Sequence, residues 1–381
     1  MLIDRLNKYA EGDVYPMHMP GHKRNTDLLR SDLPYNIDIT EIYGFDDLHN
    51  PNGILLEMSE RAAALYGSRA AFPLVNGSTV GILAAIGALA LRGDKILITS
   101  NCHRSVQNAA SLFGLEPVCI TPETDEASGV LRSVDPAAIE AALKKDRNIR
   151  LVAVTSPSYE GIISDIGSIA EVAHSYDIPL FVDSAHGAHL DFSARFHGGA
   201  ILAGADVVVI SLHKTLPALT QCSLLHVCTG RANADAIRRM LSVLQTSSPS
   251  YVLMSSIDYC LHLLEADKDR LFAEYGQRLD SFSRDIESLK RLNVLCHGSD
   301  LSDHGFYAFD PGKLVILTRN TSLSGILLAD ILREDFSIEL EMSRADYAVA
   351  MTSVCDTTAG FSRLAVALNS IDSSMTAGAG F

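Results

Sequence analysis

The sequence predicts an α/β protein with a mostly parallel sheet, followed by a smaller α+β unit, and three observations carry that prediction. Short runs rich in Val and Ile recur between residues 95 and 211, with helix-patterned stretches between several of them. Most of these runs are apolar throughout rather than alternating, which is how strands buried on both faces read. Beyond about residue 260 the pattern changes to a long charged amphipathic helix and a few further elements. At 381 residues the chain also exceeds what one core usually holds, roughly 250 to 300 residues, so two packed units are expected.

Taken in order, residues 55–66 show helical periodicity, and 78–91 read as an Ala- and Leu-rich helix opening directly after Asn76, Gly77, Ser78 and Thr79. Strands are predicted at KILIT (95–99), PVCI (117–120), RLVAVTS (150–156), IPLFVD (178–183) and DVVVIS (206–211). The second unit holds the amphipathic helix over roughly 261–291, the strand LVILT (314–318), a helix over about 323–335 and a last helix near 358–370. The closing SSMTAGAGF is small and polar and is expected to fray. The resulting division is an N-terminal segment 1–50, a large domain 51–260 and a small C-terminal domain 261–381.

Composition narrows the function classes. A hydrophobic fraction of 47% with 20% charged residues describes an ordinary globular protein. The net charge of -15 disfavours nucleic acid and anionic membrane surfaces and is congenial to cationic small molecules. Seven cysteines, an odd number without a CxxC pair, sit mostly among apolar residues, so they read as reduced, buried fillers with no zinc site. The start MLIDRLNKYAEGDVYPMHMP lacks a basic stretch followed by an apolar run. The longest apolar stretch is broken at Arg92, Gly93, Asp94 and Lys95, short of the roughly 18 to 20 residues of a membrane span. A soluble, cytoplasmic protein is expected.

In a parallel sheet, functional groups gather beyond the carboxyl ends of the strands. Lys214, in Ser211-Leu212-His213-Lys214-Thr215 directly after DVVVIS, can form an imine with an aldehyde cofactor, the more easily if desolvation lowers its pKa. Asp183, closing IPLFVD, can pair with a protonated pyridine nitrogen and keep the ring an electron sink. Gly77, Ser78 and Thr79 offer backbone amides, a helix dipole and two hydroxyls to a phosphate. Singly, each has a plainer reading as a helix cap or a solvated charge. Together they describe one site for pyridoxal 5'-phosphate (PLP).

With these residues in view, the chain resembles the Orn/Lys/Arg decarboxylase family of PLP fold type I enzymes, in its short, aspartate-aminotransferase-like form. The matching pieces are MHMPGHKR (17–24), DITEIYGFDDLHNPNGILLE (38–57), AFPLVNGSTVG (71–81), NCHRSV (101–106), SPSYEGIISDI (156–166), VDSAHGAHLDF (182–192), SLHKTLPALTQCSLLHV (211–227) and QTSSPSYVLMSSID (245–258). The resemblance implies that Lys214 carries the cofactor and Asp183 partners its ring nitrogen. It implies that Ser78 and Thr79 hold the phosphate with help from Ser211 and His213, that His103 lies over one ring face and Ala185 against the other, and that His186 supports Asp183 or the ring oxygen. Thr246, Ser247 and Ser248 would reach the phosphate of a neighbouring subunit, which implies a two-fold dimer. The segments around PGHK and DDLHNP would close over the site, with Asp38, Glu41, Asp46 and Asp47 as carboxylates for a basic substrate. Many members continue through a further C-terminal domain, whereas this sequence stops soon after a helix like the end of the small domain.

The implied reaction is decarboxylation of lysine, arginine or ornithine, with His213 or the released Lys214 returning a proton to Cα. A transaminase or lyase on the same scaffold is the alternative, and Arg363 is then the candidate grip on an α-carboxylate. A non-catalytic homologue is a third reading, against which intact Asp183 and Lys214 argue.

Overall fold

The computed structural model describes residues 1–12, 17–20, 22–25, 27–28, 32–296 and 301–375. The expected fraying of the last residues concerns mainly 376–381, which lie outside the described residues.

The first part of the chain contains α1 (Leu2–Glu11), α2 (Ile54–Tyr66), β1 (Ala70–Leu74), α3 (Gly77–Leu89), β2 (Lys95–Thr99), α4 (Arg104–Phe113) and β3 (Glu116–Ile120). It continues with α5 (Pro136–Lys145), β4 (Ile149–Thr155), β5 (Ile162–Ile163), α6 (Ile166–Ser175), β6 (Leu180–Asp183), β7 (Val207–Ser211), α7 (Leu212–Thr215), β8 (Ser223–Val227) and α8 (Ala234–Leu244). Local chemistry marks many of the boundaries. Gly67 ends α2 in the left-handed region at φ 73°, where glycine meets no Cβ clash. Asp135 caps α5 with Pro136 at its first position, and Asp165 caps α6 through Ser168 N–H.

Seven strands form one sheet in the order β1-β8-β7-β6-β4-β2-β3. The run from β7 to β3 is parallel, and β8 is antiparallel to both of its neighbours. Alternate residues of each strand serve different layers. Val208 and Ile210 join one apolar cluster while Val207 and Val209 join the other, and Val182 and Phe181 divide the same way. Both faces being dry, the strands are apolar throughout, which is the pattern the sequence shows. β1, β8 and the largely exposed edge strand β3 escape that reading. AAFPL carries Pro73, which an edge strand tolerates, and SLLHV carries Ser223 and a fully buried His226.

The remainder comprises α9 (Tyr251–Asp285), β9 (Asn293–Val294), α10 (Leu301–His304), β10 (Ala308–Phe309), β11 (Lys313–Leu317), α11 (Gly325–Phe336), β12 (Met342–Ser343), β13 (Tyr347–Met351) and α12 (Thr358–Ser374). A second sheet, β12-β13-β11-β9, is antiparallel throughout. The long helix starts ten residues before the expected 261, because Ser250 caps it at Leu253 N–H and its first turns are buried. There Asp258 accepts from Leu2 N–H (2.8 Å) and Arg61 (3.0 Å), tying α1 and α2 to α9. β10 pairs with β5, which ties the second unit to the loop after β4. All seven cysteines are free thiols, and Cys119 and Cys355 are exposed rather than buried, because β3 is the sheet edge and Cys355 lies in the turn before α12.

Candidate active site

The carboxyl ends of the parallel strands open into a cavity of about 940 Å³. Asp183 is the last residue of β6, in register with Thr155 on one side and Val209 on the other. Ser211 is the last residue of β7, and Lys214 sits in the single turn that follows. Asp183, Lys214, Ser78, Thr79, Gly77, His103, Ala185, His186, Ser211 and His213 all line this one cavity. Residues 77 and 214 are far apart in sequence, and the fold brings them together because each follows a strand of the same sheet.

Burial sets the electrostatics. Asp183 is 2% exposed, and burial raises its carboxyl above the ordinary range against the opposing pull of Lys214, the Ala185 amide (3.1 Å) and His103. Burial also lowers the Lys214 ammonium, with Lys313 adding to the effect while Asp183 and Glu341 oppose it. The outcome is an amine that gives up its proton more readily than an exposed lysine does. Lys214 Nζ lies 3.0 Å from His186 Nε2. His186 is pushed well below the usual histidine range by burial first, then by Lys313 and Lys214. Among the described residues its hydrogen-bond partner is Lys214 rather than Asp183. His213 Nδ1 is 2.9 Å from the Cys222 carbonyl, which can only accept, so Nδ1 carries the hydrogen. Burial keeps this imidazole below its usual pKa and leaves Nε2 as the acceptor of a ring that lines the cavity.

At the other end of the floor, α3 points its N-terminus into the cavity. Its N-cap Asn76 makes no capping bond, because Asn76 Oδ1 accepts from Thr246 N–H (3.0 Å). The Ser78 and Thr79 amides are therefore left without a helix partner at the positive end of the dipole. Gly77 has φ 72° with open space where a Cβ would stand. The Ser78 hydroxyl is held between Ser211 (2.5 Å) and Ser223 (3.2 Å). Three buried polar atoms of the wall, Thr155 Oγ1, Asn101 Oδ1 and His186 Nδ1, have no hydrogen-bond partner among the described residues. Buried polar groups are normally satisfied, and a phosphorylated polar aromatic ring supplies partners of this kind. His103 Nδ1 caps α4 at Ser105 N–H (3.2 Å) while the ring lines the cavity, so it is both a cap and a wall residue.

Other expected residues lie elsewhere. Thr246, Ser247 and Ser248 do not line the cavity of their own chain, and Thr246 touches it only through Asn76. Asp38, Glu41, Asp46 and Asp47 are also outside it. Asp46 is occupied by the amides of Asn52, Gly53 and Leu55, where it starts α2, and Asp38 pairs with His22. Arg363 is exposed on α12, away from the cavity.

Residues 1–354 match the profile of the Orn/Lys/Arg decarboxylase major domain. The chain belongs to the Orn/Lys/Arg decarboxylase family. It is 38% identical to the uncharacterized protein YaaO of Bacillus subtilis over 87% of this chain and 69% of that one. It is 34% identical to the arginine decarboxylase of the same organism over 98% of this chain and 78% of the relative. Its fold matches the crystal structure of the Francisella novicida lysine decarboxylase LdcF with a TM-score of 0.84 at 19% identity, covering 98% of this chain. This chain spans 60% of the length of that protein. The fold is that of PLP fold type I.

Sequence reasoning missed one wall of this family's cavity. Tyr159 and Glu160 follow β4 and could have been found by the strand-end rule that found Asp183. Glu341 directly precedes β12, Arg344 lies in the turn between β12 and β13, and Tyr347 opens β13. Two paired residues of β12 leave no periodic signal. Glu160 is engaged by Tyr347 (2.7 Å) and Ser158 (3.0 Å), whereas Glu341 makes no side-chain hydrogen bond or salt bridge among the described residues.

Proposed function

We propose that this chain is a PLP-dependent decarboxylase of a basic amino acid, with arginine as its substrate. The observation that carries the reading is the pairing of a buried Asp183 and a desolvated Lys214 on adjacent strand ends of one cavity, with the exposed Glu341 carboxylate in the same cavity. Arginine is favoured over lysine because substrate-named relatives at 30–34% identity are arginine decarboxylases, whereas the lysine decarboxylases stand at 23–26%.

Lys214 would hold PLP covalently, Asp183 would face its ring nitrogen, and the amides of Ser78 and Thr79 with Ser211 and His213 would receive its phosphate. His103 and Ala185 would flank the ring. When bound, PLP supplies an aldehyde for an amine and a ring that accepts the electrons released with CO2. The protein's part is orientation and proton handling. Asp183, kept dry, responds strongly to a cation at its oxygens. The lowered pKa of Lys214 suits an amine that must lose and regain a proton near neutral pH, and His213 Nε2 is the second group within the site able to accept one. The Glu341 carboxylate gives a guanidinium a charge-assisted acceptor.

We read residues 51–260 as the cofactor-binding domain, 261–381 as the smaller domain and 1–50 as a segment that helps close the site. The half-buried Thr246 and the exposed Ser247 and Ser248, outside their own cavity, fit a homodimer in which they reach the partner's phosphate. Seven free thiols suit a reducing cytoplasm, and no described helix is long and apolar enough to cross a membrane. The test is mass-spectrometric product analysis of PLP-loaded protein given arginine, lysine or ornithine separately. Agmatine from arginine is the expected product, cadaverine or putrescine would reassign the substrate, and a keto acid without CO2 would replace decarboxylation by transamination.

A further inference from the structure

Behind the cavity lies a buried charged triad that the reaction as described does not use. Lys313 opens β11 and is 1% exposed, and its Nζ donates to Asp310 Oδ2 (3.1 Å), itself fully buried. The other carboxylate oxygen, Oδ1, lies 3.1 Å from His189 Nε2 and accepts from Gly312 N–H (2.9 Å). Burial alone would raise the Asp310 carboxyl, but His189 and Lys313 outweigh it and hold the group well below the usual range. A buried pair of this kind is weak ground for stability, because apolar side chains of equal volume often do as well or better.

Its contacts lead to Lys214 by two routes. His189 lies three residues after His186 in the loop following β6, and His186 Nε2 is the atom 3.0 Å from Lys214 Nζ. Asp310 N–H donates to the Gly161 carbonyl (2.8 Å). A Cβ on Gly161 would stand 2.8 Å from Lys313 Cβ and Cγ, so the lysine stem is pressed against that backbone. Two residues before Gly161, the Tyr159 ring packs on His186 at 4.3 Å between centroids, with Lys214 Nζ 5.5 Å from its centre. Both walls around the Lys214 amine are thus anchored on the triad.

We propose that Lys313, Asp310 and His189 form a positioning device that holds His186 and Tyr159 against the Lys214 amine and places a second buried cation behind the Tyr159 wall. The charged and titratable groups facing His186 are Lys313, Lys214, Asp310, His103 and Tyr159, and those facing Lys214 include Asp183, Glu341 and Tyr159, with His213 beside it. Lys313 disfavours added positive charge at both His186 and Lys214, and at His186 Asp310 partly cancels it. This inference rests on PLP attachment at Lys214.

The experiment is a pH titration of the visible absorbance of PLP-loaded protein. Removing the cation in Lys313→Met leaves Asp310 unopposed, so protonation at Lys214 becomes easier and the midpoint rises by about 0.5 to 1 unit. Asp310→Asn leaves Lys313 unopposed, and the midpoint falls by a similar amount. Opposite shifts are a signature that loose packing does not produce. A chromophore that forms in both variants with the wild-type midpoint overturns the proposal, whereas a wild-type protein without a borohydride-trappable chromophore overturns PLP attachment instead. If a single variant fails to fold, the double variant Lys313→Met/Asp310→Asn removes the whole pair. It is expected to melt with the wild type yet to lose turnover about tenfold at unchanged KM, and wild-type turnover would sink the idea.

Discussion

The two walls of the cavity are built differently. On the large-sheet side, Asp183, Ser211 and Thr155 end parallel strands whose neighbours are in register on both sides, and Asp183 and Ser211 are buried. On the other side Glu341 and Arg344 stand exposed around the short strand β12. A buried charge is held in one place and has its pKa moved by its surroundings, whereas an exposed charge keeps its freedom and answers to what binds it. The buried wall therefore suits bond breaking, and the exposed wall suits choosing the substrate.

The strongest way to break that division is at Lys214. Lys214→Ala is expected to abolish borohydride trapping of PLP and to lower turnover about 10⁴-fold or more, as loss of a covalent attachment does. Full turnover with a trapped cofactor at another lysine would refute the assignment. Asp183→Ala is next. The variant is expected to keep its chromophore, since Lys214 is intact, while kcat falls about 10² to 10⁴-fold. Absorbance spectra and steady-state kinetics on one sample separate the two outcomes, and a kcat near wild type would remove Asp183 from the chemistry.

Glu341→Gln tests the exposed wall. A hydrogen bond to a charged group is worth about 1.5 to 3 kcal/mol, so KM for the preferred amino acid should rise about 10- to 100-fold with kcat changed by less than about threefold. Steady-state kinetics with each basic amino acid reads this directly. A fall in kcat at constant KM would place Glu341 with the chemistry and erase the contrast between the walls.

The same contrast governs what the sequence could reveal. Strands buried on both faces are unbroken apolar runs, so β2, β4, β6 and β7 were legible to within a residue or two, as was the apolar run of the exposed edge strand β3, and the residues that end the buried strands or follow them were legible as a site. β1 and β8 were not, since Pro73 and His226 disguise them and only tertiary burial makes them strands. Glu341, Arg344 and Tyr347 were invisible for a related reason: their positions depend on pairing between β12 and β13, which neither strand announces locally. The capping role of Asp46 was likewise hidden, because a carboxylate in a charged stretch reads the same whether it meets a substrate or three backbone amides. Cofactor chemistry was thus easier to read than substrate choice.

The smallest expected effect is at Arg363. From sequence alone it is the candidate grip for a substrate carboxylate in a transaminase, being a basic residue near the C-terminus, while its place on an amphipathic helix favours a surface residue. In the fold, α12 turns Phe361, Leu364, Ala365 and Leu368 inward and leaves Arg363 exposed, outside the cavity that Arg344 lines. Arg363→Ala should leave kcat/KM within about twofold and stability within about 0.5 kcal/mol, as exposed substitutions away from special contacts do. Kinetics and a melting curve on the purified variant check both. A tenfold loss of kcat/KM at unchanged melting temperature would mean that α12 reaches substrate in the working enzyme, and the exposed wall would then have to be redrawn to include a helix whose inner face is now spent on packing.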